Sequence, residues 1–538
     1  NSTSDNYLPA DHTTFATATD SDSYFRKGKY TYGTGEDINI DANVTLSYSK
    51  IFHEKHQLYA GFDYSIAQKK NHFYTFIVEG FPDGKLDFIG NALQYEKNGV
   101  PKGTEELSRR VGFTGNVNYI YNNRYFMDLS FRVDGSSLFG TKNKFAPFWS
   151  AGIGWNVHNE KFMQNQNIVN NLRIRGSYGE TGSQQFSSYQ ALSTFQSYTG
   201  KRYIIWNGSE LMGLGNEKLK WQVTKQLNGG VEVGLFDGRL SASFDIYSKK
   251  TSNLLSQMDL PLANGFSSYV DNVGEVKNTG YEAMISGYLM RDTHRNIIWS
   301  MTAKLAYTKN EITKLSEAIK RQNELYKSKD VEINQLLYEG YAQNSIWAVP
   351  SMGIDPSTGY EIFLDKNGNI TDKWNPSDKR YFGVDEPKYR GNISTYFAWK
   401  DLSVNLSFAY QWGGQQYNET LLNKVEVTNG EIDKNNVDSR VLKKRWQHIG
   451  DVKPYKGYGS VETKATSRFV MDDNVFQFQS ASVEYRLHSD FLRDKWKVET
   501  ISIGANMSDI FYISSIKRER GTSYPFARRL ALTLSLMF

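Results

Sequence analysis

The last nine residues of the chain, Leu530–Phe538, alternate strictly between two kinds of side chain. Leucine or phenylalanine occupies every second position, and Ala, Thr, Ser and Met occupy the positions between them. Because successive side chains of a β-strand point to opposite faces, this segment predicts a strand with one continuously apolar face. Such a strand fits a soluble β-sandwich core or the wall of an outer-membrane barrel, whose apolar face contacts lipid.

The same alternation recurs along the chain and predicts fifteen antiparallel strands. In one of them, Asp128, Ser130 and Arg132 alternate with apolar residues. Such charges would destabilise a sandwich core, whereas water solvates them on the wall of a wet lumen. The pattern therefore favours a transmembrane barrel. The predicted strands are Ile38–Tyr48, Leu58–Ile66, Val111–Tyr121, Tyr125–Val133, Phe145–Val157, Leu172–Tyr178, Val223–Phe236, Arg239–Lys249, Gly280–Met290, Ile297–Lys309, Tyr389–Trp399, Leu402–Trp412, Val475–Leu487, Val498–Ile510 and Arg528–Phe538.

Short and long connections alternate between these strands. Residues 122–124, 237–238 and 400–401 form tight turns, whereas residues 310–388 and 415–474 form long loops. One-sided long loops are typical of bacterial outer-membrane barrels, which have short periplasmic turns and extended outer loops. The sequence thus predicts which ends of the strands face the periplasm.

Composition excludes several other classes of protein. The 538-residue chain contains no cysteine, so it has neither disulfides nor thiolate metal sites. Its net charge of +5 is too small for this length to indicate a nucleic-acid partner. No segment approaches the roughly 18 consecutive apolar residues of a membrane-spanning helix.

Two domains are expected. Residues 1–36 are rich in Ser, Thr and Asp and lack periodicity, which predicts an extracellular loop segment. Residues 37–538 are predicted to form barrel wall. An odd strand count leaves both sheet edges unpaired, and unsatisfied backbone groups in lipid cost several kcal/mol each. We therefore expect a second piece to complete the barrel.

An ordered set of motifs resembles the SusC/RagA-type TonB-dependent transporters of the Bacteroidetes outer membrane. The set covers nearly the whole chain, although Gln222 stands where that family usually has Glu. The motifs are Arg132–Gly140 (RVDGSSLFG), Leu172–Gly182 (LRIRGSYGETG), Asn216–Trp221 (NEKLKW), Asp245–Thr251 (DIYSKKT), Asn272–Glu282 (NVGEVKNTGYE), Arg445–Asp451 (RWQHIGD) and Ser467–Val470 (SRFV).

The resemblance implies a 22-stranded barrel of which residues 37–538 supply about fifteen C-terminal strands, with no plug, carboxypeptidase-like domain or TonB box expected in this chain. It implies an importer of glycans or peptides that works with a SusD-like lipoprotein, with an N-terminal plug and barrel portion, and with TonB acting on that missing portion. Outer-membrane lipid would surround the barrel. Two alternatives stay open: a passive porin or surface-binding barrel without energy coupling, and a secreted all-β enzyme or adhesin.

Candidate site residues are the aromatic side chains of the predicted outer loops, which could stack on sugar rings or contact peptide side chains. Loop packing and contact with a partner protein are the alternative roles. No catalytic constellation, metal site or cofactor site is predicted: His53–His56 (HEKH) is one residue short of a zinc motif, and Asp365–Asn369 (DKNGN) reads as a type I′ hairpin turn rather than a calcium loop. The candidate ligand-binding residues are Tyr203, Trp206, Tyr341, Trp347, Trp374, Tyr417 and Tyr455.

Overall fold

The computed structural model describes the chain except residues 1, 17–20, 83–85, 98, 141–142, 184–190, 261, 267, 328, 331–332, 427–437, 460–461 and 517–527. Fifteen long strands form one antiparallel sheet, in which each pairs with the next along the chain. They are β1 (Lys29–Phe52), β2 (His56–Glu79), β3 (Lys102–Tyr121), β4 (Tyr125–Ser136), β5 (Phe145–Asn156), β6 (Val169–Ser183), β7 (Gln222–Leu235), β8 (Leu240–Asp259), β9 (Ser268–Asp292), β10 (Ile297–Leu315), β11 (Tyr389–Trp399), β12 (Leu402–Tyr417), β13 (Val470–Leu487), β14 (Thr500–Ser514) and β15 (Arg529–Met537).

The sheet is an open partial barrel. Among the described residues, β1 and β15 do not pair with each other, so the sheet keeps two edges. The predicted fold class is therefore confirmed: an all-β antiparallel barrel wall of fifteen strands with two unpaired edges.

The register places the apolar residues of all fifteen strands on one face. Leu534 of β15 lies opposite Ile503 of β14, which lies opposite Tyr485 of β13. At the other end of the sheet, Leu46 of β1 lies opposite Phe62 of β2. Leu532 is 78% exposed, as expected for a side chain that contacts lipid.

The opposite face of the sheet carries the charges, as the alternation predicts. Arg175 of β6 lies 3.4 Å from Glu232 on the adjacent strand β7 and 2.6 Å from Asp245 on β8, the next strand along. On β4, Arg132 and Asp134 form an ion pair at 2.7 Å. This face is the lumen wall, where such pairs stay in contact with water.

Most of the strands are longer than predicted, mainly on the side of the long loops, whereas β5, β7, β11 and β15 are not. β9 begins at Ser268 rather than at Gly280, and β8 continues to Asp259 rather than ending at Lys249. Beyond the bilayer neither face contacts lipid, so the alternation fades although the backbone ladder continues. Sequence periodicity therefore measured the membrane-facing part of each strand rather than the whole strand.

The sheet extends into residues 1–36, which the sequence predicts to be an extracellular loop segment. Ser2–Leu8 forms a strand that pairs with Lys29–Gly35, the outer part of β1. Tyr7 contacts the ring of Phe81 at a centroid distance of 5.1 Å. Part of the predicted loop segment thus belongs to the sheet.

Most fully buried side chains lie in the outer loops rather than in the wall. One apolar cluster joins β8, β9 and β10 to the helix Glu317–Lys327 through Met258, Ile312 and Ile319.

Within the described ranges, no helix combines the length and apolar character needed to cross a membrane. The remaining strands are Ser2–Leu8, Gln94–Tyr95, Thr194–Tyr203, Trp206–Gly213, Ser345–Ala348, Ser351–Ile354, Glu361–Leu364, Ile370–Thr371 and Arg380–Val384, and the α-helices are Ser21–Phe25, Glu317–Lys327, Val441–Lys444 and Asp490–Trp496.

Candidate functional site

A groove of about 720 Å³, the lumen-mouth groove, lies on the lumen wall, beside the outer ends of β4–β6 and the middle of β1–β3. Because β-strand side chains alternate, its wall is lined by the polar set of each strand. Its charged and polar lining residues are Asp41, Asn43, Ser65, Arg110, Ser130, Arg132, Asp134, Ser150, Glu180, Thr181 and Ser183. Arg132 keeps half of its side-chain surface exposed while it pairs with Asp134. The groove therefore offers hydrogen-bond donors and acceptors to a polar ligand.

A packed aromatic cluster forms one side of this groove. The rings of Phe139 and Trp221 stack at 4.4 Å, and Phe148 meets Trp221 edge-on at 5.8 Å. The indole of Trp221 donates a hydrogen bond of 2.9 Å to the carbonyl oxygen of Asn143. All three rings are buried, so this side of the groove is rigid.

A second feature, the outer-loop assembly, comprises residues 345–384, 418–426, 438–459 and 462–469. Its centre is Arg468, which donates to Glu361 over 3.0 and 3.1 Å and to Glu426 over 2.7 Å. Both carboxylates are almost completely buried. Burial opposes the charged guanidinium, but the two carboxylates outweigh it and raise the pKa of Arg468. Arg468 thus joins two separate loops through ion pairs removed from solvent.

Two further cations extend this network. Lys456 places its Nζ 3.9 Å from Glu361, and Arg445 donates a hydrogen bond of 2.9 Å to the carbonyl oxygen of Lys456. The guanidinium of Arg445 also lies 4.4 Å from the ring of Tyr458. Burial lowers the pKa of Lys456, and the nearby carboxylates only partly offset this effect.

Two of the predicted site residues, Tyr341 and Trp347, meet in one aromatic cluster. Their ring centroids are 5.1 Å apart, and Trp347 also contacts Tyr338 at 4.6 Å and Tyr381 at 5.9 Å. Trp347 is buried, whereas Tyr341 is 40% exposed. The cluster packs two loop segments together and leaves parts of Tyr341 and Tyr381, which is 43% exposed, open to a ligand.

Three other predicted residues are also engaged within the outer-loop assembly or beside it. Tyr417 is buried against Phe469, and burial raises its pKa. The indole of Trp374 donates a hydrogen bond of 3.2 Å to the carbonyl oxygen of Ala465. Tyr455 is half-buried, and burial raises its pKa as well. These positions fit the loop-packing alternative; their contact with a ligand stays a prediction.

Trp206 differs from the others because it is 70% exposed. It begins the strand Trp206–Gly213, which pairs with Thr194–Tyr203 so that Trp206 lies opposite Tyr203. The side chain of Tyr203 lies outside the described part of the chain. Of the seven predicted residues, Trp206 has the most accessible described side chain.

The turn at Asp365–Asn369 differs from the prediction of a type I′ hairpin. Among the residues of this turn only Gly368 has a positive φ, 87°, whereas a type I′ turn needs two. The amide of Gly368 donates to the carbonyl of Asp365, and the Asp365 carboxylate accepts the amides of Asn367 and Asn369 at 2.8 Å. The carboxylate thus stabilises the turn itself. Over the described residues, no group of three or more acidic or histidine side chains is placed to hold a metal ion.

Sequence reasoning missed the lumen-mouth groove and the Arg468 centre. The sequence does contain a signal for the groove, since Arg110, Arg132 and Asp134 all fall on the lumen side of the alternation, and Arg110 lies opposite Ser136 at the outer end of β4. Arg468 and Glu361 are 107 positions apart in the sequence, and no local pattern connects them.

Comparison with known proteins supplies a family context. A family model described as "TonB dependent receptor-like, beta-barrel" matches residues 1–430. TonB-dependent receptor P3 of Formosa agariphila is 28% identical over 93% of this chain and 50% of its own length. TonB-dependent receptor SusC of Bacteroides thetaiotaomicron is 24% identical over 77% of this chain and 42% of its own. The chain thus spans about half the length of these curated relatives.

The fold has a counterpart of known structure. The RagAB peptide transporter superimposes with a TM-score of 0.80 and 23% sequence identity, over 91% of this chain and 53% of the other. A RagAB peptide importer structure in the "open-open" state gives a TM-score of 0.82 at 22% identity. The same barrel-wall fold therefore occurs in both proteins.

Proposed function

The chain belongs to the TonB-dependent receptor-like β-barrel family of the outer membrane, and on this premise we propose that it is the C-terminal barrel portion of an importer of the SusC/RagA type. The observation that supports this most is the two-sided sheet. One face is apolar throughout and suits lipid, while the other carries charges and the lumen-mouth groove. A wall of this kind encloses a path for polar solutes.

The proposed first partner is an N-terminal portion that supplies the plug and the remaining strands. Ser2–Leu8 pairs with the outer part of β1, with Ser2 opposite Gly35. The residues of β1 from Glu36 to Phe52 have no partner on that side among the described residues. A strand that continued Ser2–Leu8 toward the periplasm in the same register would cover this edge.

The proposed second partner is a SusD-like lipoprotein that covers the outer loops. The turn after Trp446 presents Ile449 and Val452, each 84% exposed, the highest values among the large apolar side chains described. The indole of Trp446 and the amide of Gly450 both donate to the carbonyl of Pro356, at 2.9 and 2.8 Å. Rigid apolar side chains exposed to water favour a protein partner at this surface.

The proposed substrates are glycans or peptides, driven inward by TonB acting on the N-terminal portion. The lumen-mouth groove combines ionic and hydrogen-bonding groups with the buried rings of Phe148 and Trp221. Hydroxyl-rich sugars and peptide amides both match such a lining. Its chemistry does not favour one class over the other.

Purification of the chain from outer membranes, followed by mass spectrometry of associated proteins, tests the assembly. We expect a plug-bearing N-terminal portion and a surface lipoprotein in stoichiometric amounts. Their absence would contradict the proposal and favour a passive barrel. Energy coupling is tested separately by uptake in cells with and without TonB, because a passive porin would transport equally in both.

A further inference from the structure

The lipid-facing surface of β3–β6 is indented near the periplasmic turns. A groove of about 680 Å³, the inner-leaflet groove, lies there. One row of paired residues crosses it, from Tyr119 to Met127, then to Ile153 and to Gly176. Gly176 has no side chain to fill its position, and its partner on β7, Gly229, also lacks one. The two paired glycines thus leave a notch between the apolar side chains of the lipid-facing surface.

A fixed polar rim borders the groove on the side of the periplasmic turns. The next row toward the turns contains Tyr125 and Trp155, whose rings lie nearly parallel. The Tyr125 hydroxyl and the Trp155 indole both donate to Glu160, over 2.7 and 3.1 Å. Arg124 lies 3.2 Å from the same carboxylate. Rings with an apolar body and a polar tip are typical of the boundary between lipid and water.

The rim is also cationic. Glu160 is buried and neutralised by Arg124, which keeps about a quarter of its side-chain surface exposed. The following residue, Lys161, is exposed. The formal charge of these three residues is therefore +1, which suits a phosphate group.

We propose that the inner-leaflet groove binds a glycerophospholipid of the periplasmic leaflet. One acyl chain lies in the notch at Gly176, against Met127 and Ile153, and the phosphate lies near Arg124 and Lys161. The groove is continuous with the lipid-facing surface, so its surroundings supply this ligand and exclude water-soluble ones.

A second groove on the same face provides a contrast. It has about 620 Å³, lies around Gly115, and its lining contains no ionisable acid or base other than Tyr48. Gly115 is paired with Phe62 and Phe131, further from the periplasmic turns than the row of Tyr119. An acyl chain can enter both grooves, but only the first has a rim that holds a headgroup.

The experiment uses the complete transporter in vesicles of phosphatidylethanolamine and phosphatidylglycerol that contain a phosphatidylethanolamine with a photoreactive acyl chain. After illumination, labelled peptides are quantified by mass spectrometry. We expect stronger labelling of β4–β6 than of β15, which is equally exposed to lipid. In Gly176→Leu the new side chain fills the notch, and displacing about two methylenes should reduce this labelling about tenfold.

The structure offers matched controls. A Cβ at Gly176 would lie no closer than 3.8 Å to another atom, and at Gly115 it would meet nothing within 4 Å, so both strands accept a leucine. Gly115→Leu should leave the labelling of β4–β6 unchanged, and Gly176→Ala should reduce it less than Gly176→Leu. Lys161→Gln removes one cation without touching the Arg124–Glu160 pair and should reduce labelling about fivefold.

Equal labelling of β4–β6 and β15 would overturn the proposal, as would wild-type labelling in Gly176→Leu. Unchanged labelling in Lys161→Gln would overturn the assignment of the headgroup. Each variant is compared at equal amounts of heat-modifiable barrel, so that a folding defect is not mistaken for lost binding. If Gly176→Leu does not assemble, Gly176→Ala supplies the decisive comparison.

Discussion

The barrel wall and the outer loops place their apolar side chains in opposite ways. In the wall, Leu532 and Leu534 are 78% and 67% exposed, because lipid rather than protein covers them. In the loops, Phe139 and Trp221 are 2% and 6% exposed, because water surrounds these loops and the rings must pack together. The comparison shows that the surroundings decide where apolar side chains go. They face outward where lipid surrounds the chain and pack into a core where water surrounds it.

The ion pairs of the two regions also differ in their exposure to solvent. Arg132 pairs with Asp134 on the lumen wall while half of its side chain is exposed. Arg468 pairs with two carboxylates that solvent does not reach. A wall ion pair should therefore contribute little to stability, and breaking the buried one should be costly.

The largest expected effect comes from Arg468→Ala. This change leaves Glu361 and Glu426 buried without their main partner, which should cost about 3–5 kcal/mol. We expect the outer-loop assembly to become sensitive to limited proteolysis while the wall remains heat-modifiable. Arg132→Ala is the matched control and should cost at most about 1 kcal/mol. Similar effects of the two variants would contradict the distinction between the regions.

Trp221→Ala tests the packed rings of the loops. Removing the indole should cost about 3–5 kcal/mol, because Phe139 and Phe148 lose their central contact. Trp206→Ala, at a position that is 70% exposed, should change stability by no more than about 0.5 kcal/mol. Thermal unfolding of the purified transporter, followed by tryptophan fluorescence, measures both. A large effect of Trp206→Ala would show that the Trp206 hairpin is covered in the assembled protein.

Leu534→Arg tests the assignment of the lipid face. An arginine near the middle of the bilayer should destabilise the barrel by about 2–4 kcal/mol. Thr533→Arg, one position away on the lumen side, should fold at near wild-type levels because water solvates the charge. Heat-modifiability on gels after expression in outer membranes measures the folded fraction. Equal folding of the two variants would contradict the register described for β15.

Acidification should act mainly on the outer loops, and this is the smallest effect expected. Hydrogen bonds from Asn369 and from other amides of its turn lower the pKa of Asp365 in the folded protein. A lowered pKa means that the carboxylate stabilises the turn above its unfolded pKa of about 3.9 and that this stabilisation is lost as the pH falls through the folded value. Proteolysis of the turn at Asp365–Asn369, which joins the strands Glu361–Leu364 and Ile370–Thr371, should therefore increase at low pH. Asp365→Asn should reduce this pH dependence, and an unchanged profile would exclude Asp365 as its source.

Most of the wall was predictable because lipid imposes a two-residue period that any reader of the sequence can detect. The number of strands, the lipid-facing residues such as Leu46 and Leu534, and the lumen charges such as Arg132 all follow from that period. The outer extensions of the strands were not predictable, since above the bilayer the pairing of β8 with β9 continues without a matching side-chain pattern. The motif Asn216–Trp221 could be recognised in the sequence, but the residues that pack against the ring of Trp221, Phe139 and Phe148, could not be predicted.

The sequence by itself determined the alternation, and with it the barrel class, the two faces and the open edges of the sheet. Only the tertiary structure decided which loop residues meet: Arg468 with Glu361 and Glu426, Trp347 with Tyr341, and the two glycines that open the inner-leaflet groove. The physical reason is that the two kinds of interaction leave different traces in the sequence. Lipid acts on each strand separately and leaves a local pattern, whereas buried charges and packed rings depend on contacts between loop residues that follow no sequence period, such as Arg468 and Glu361, 107 positions apart.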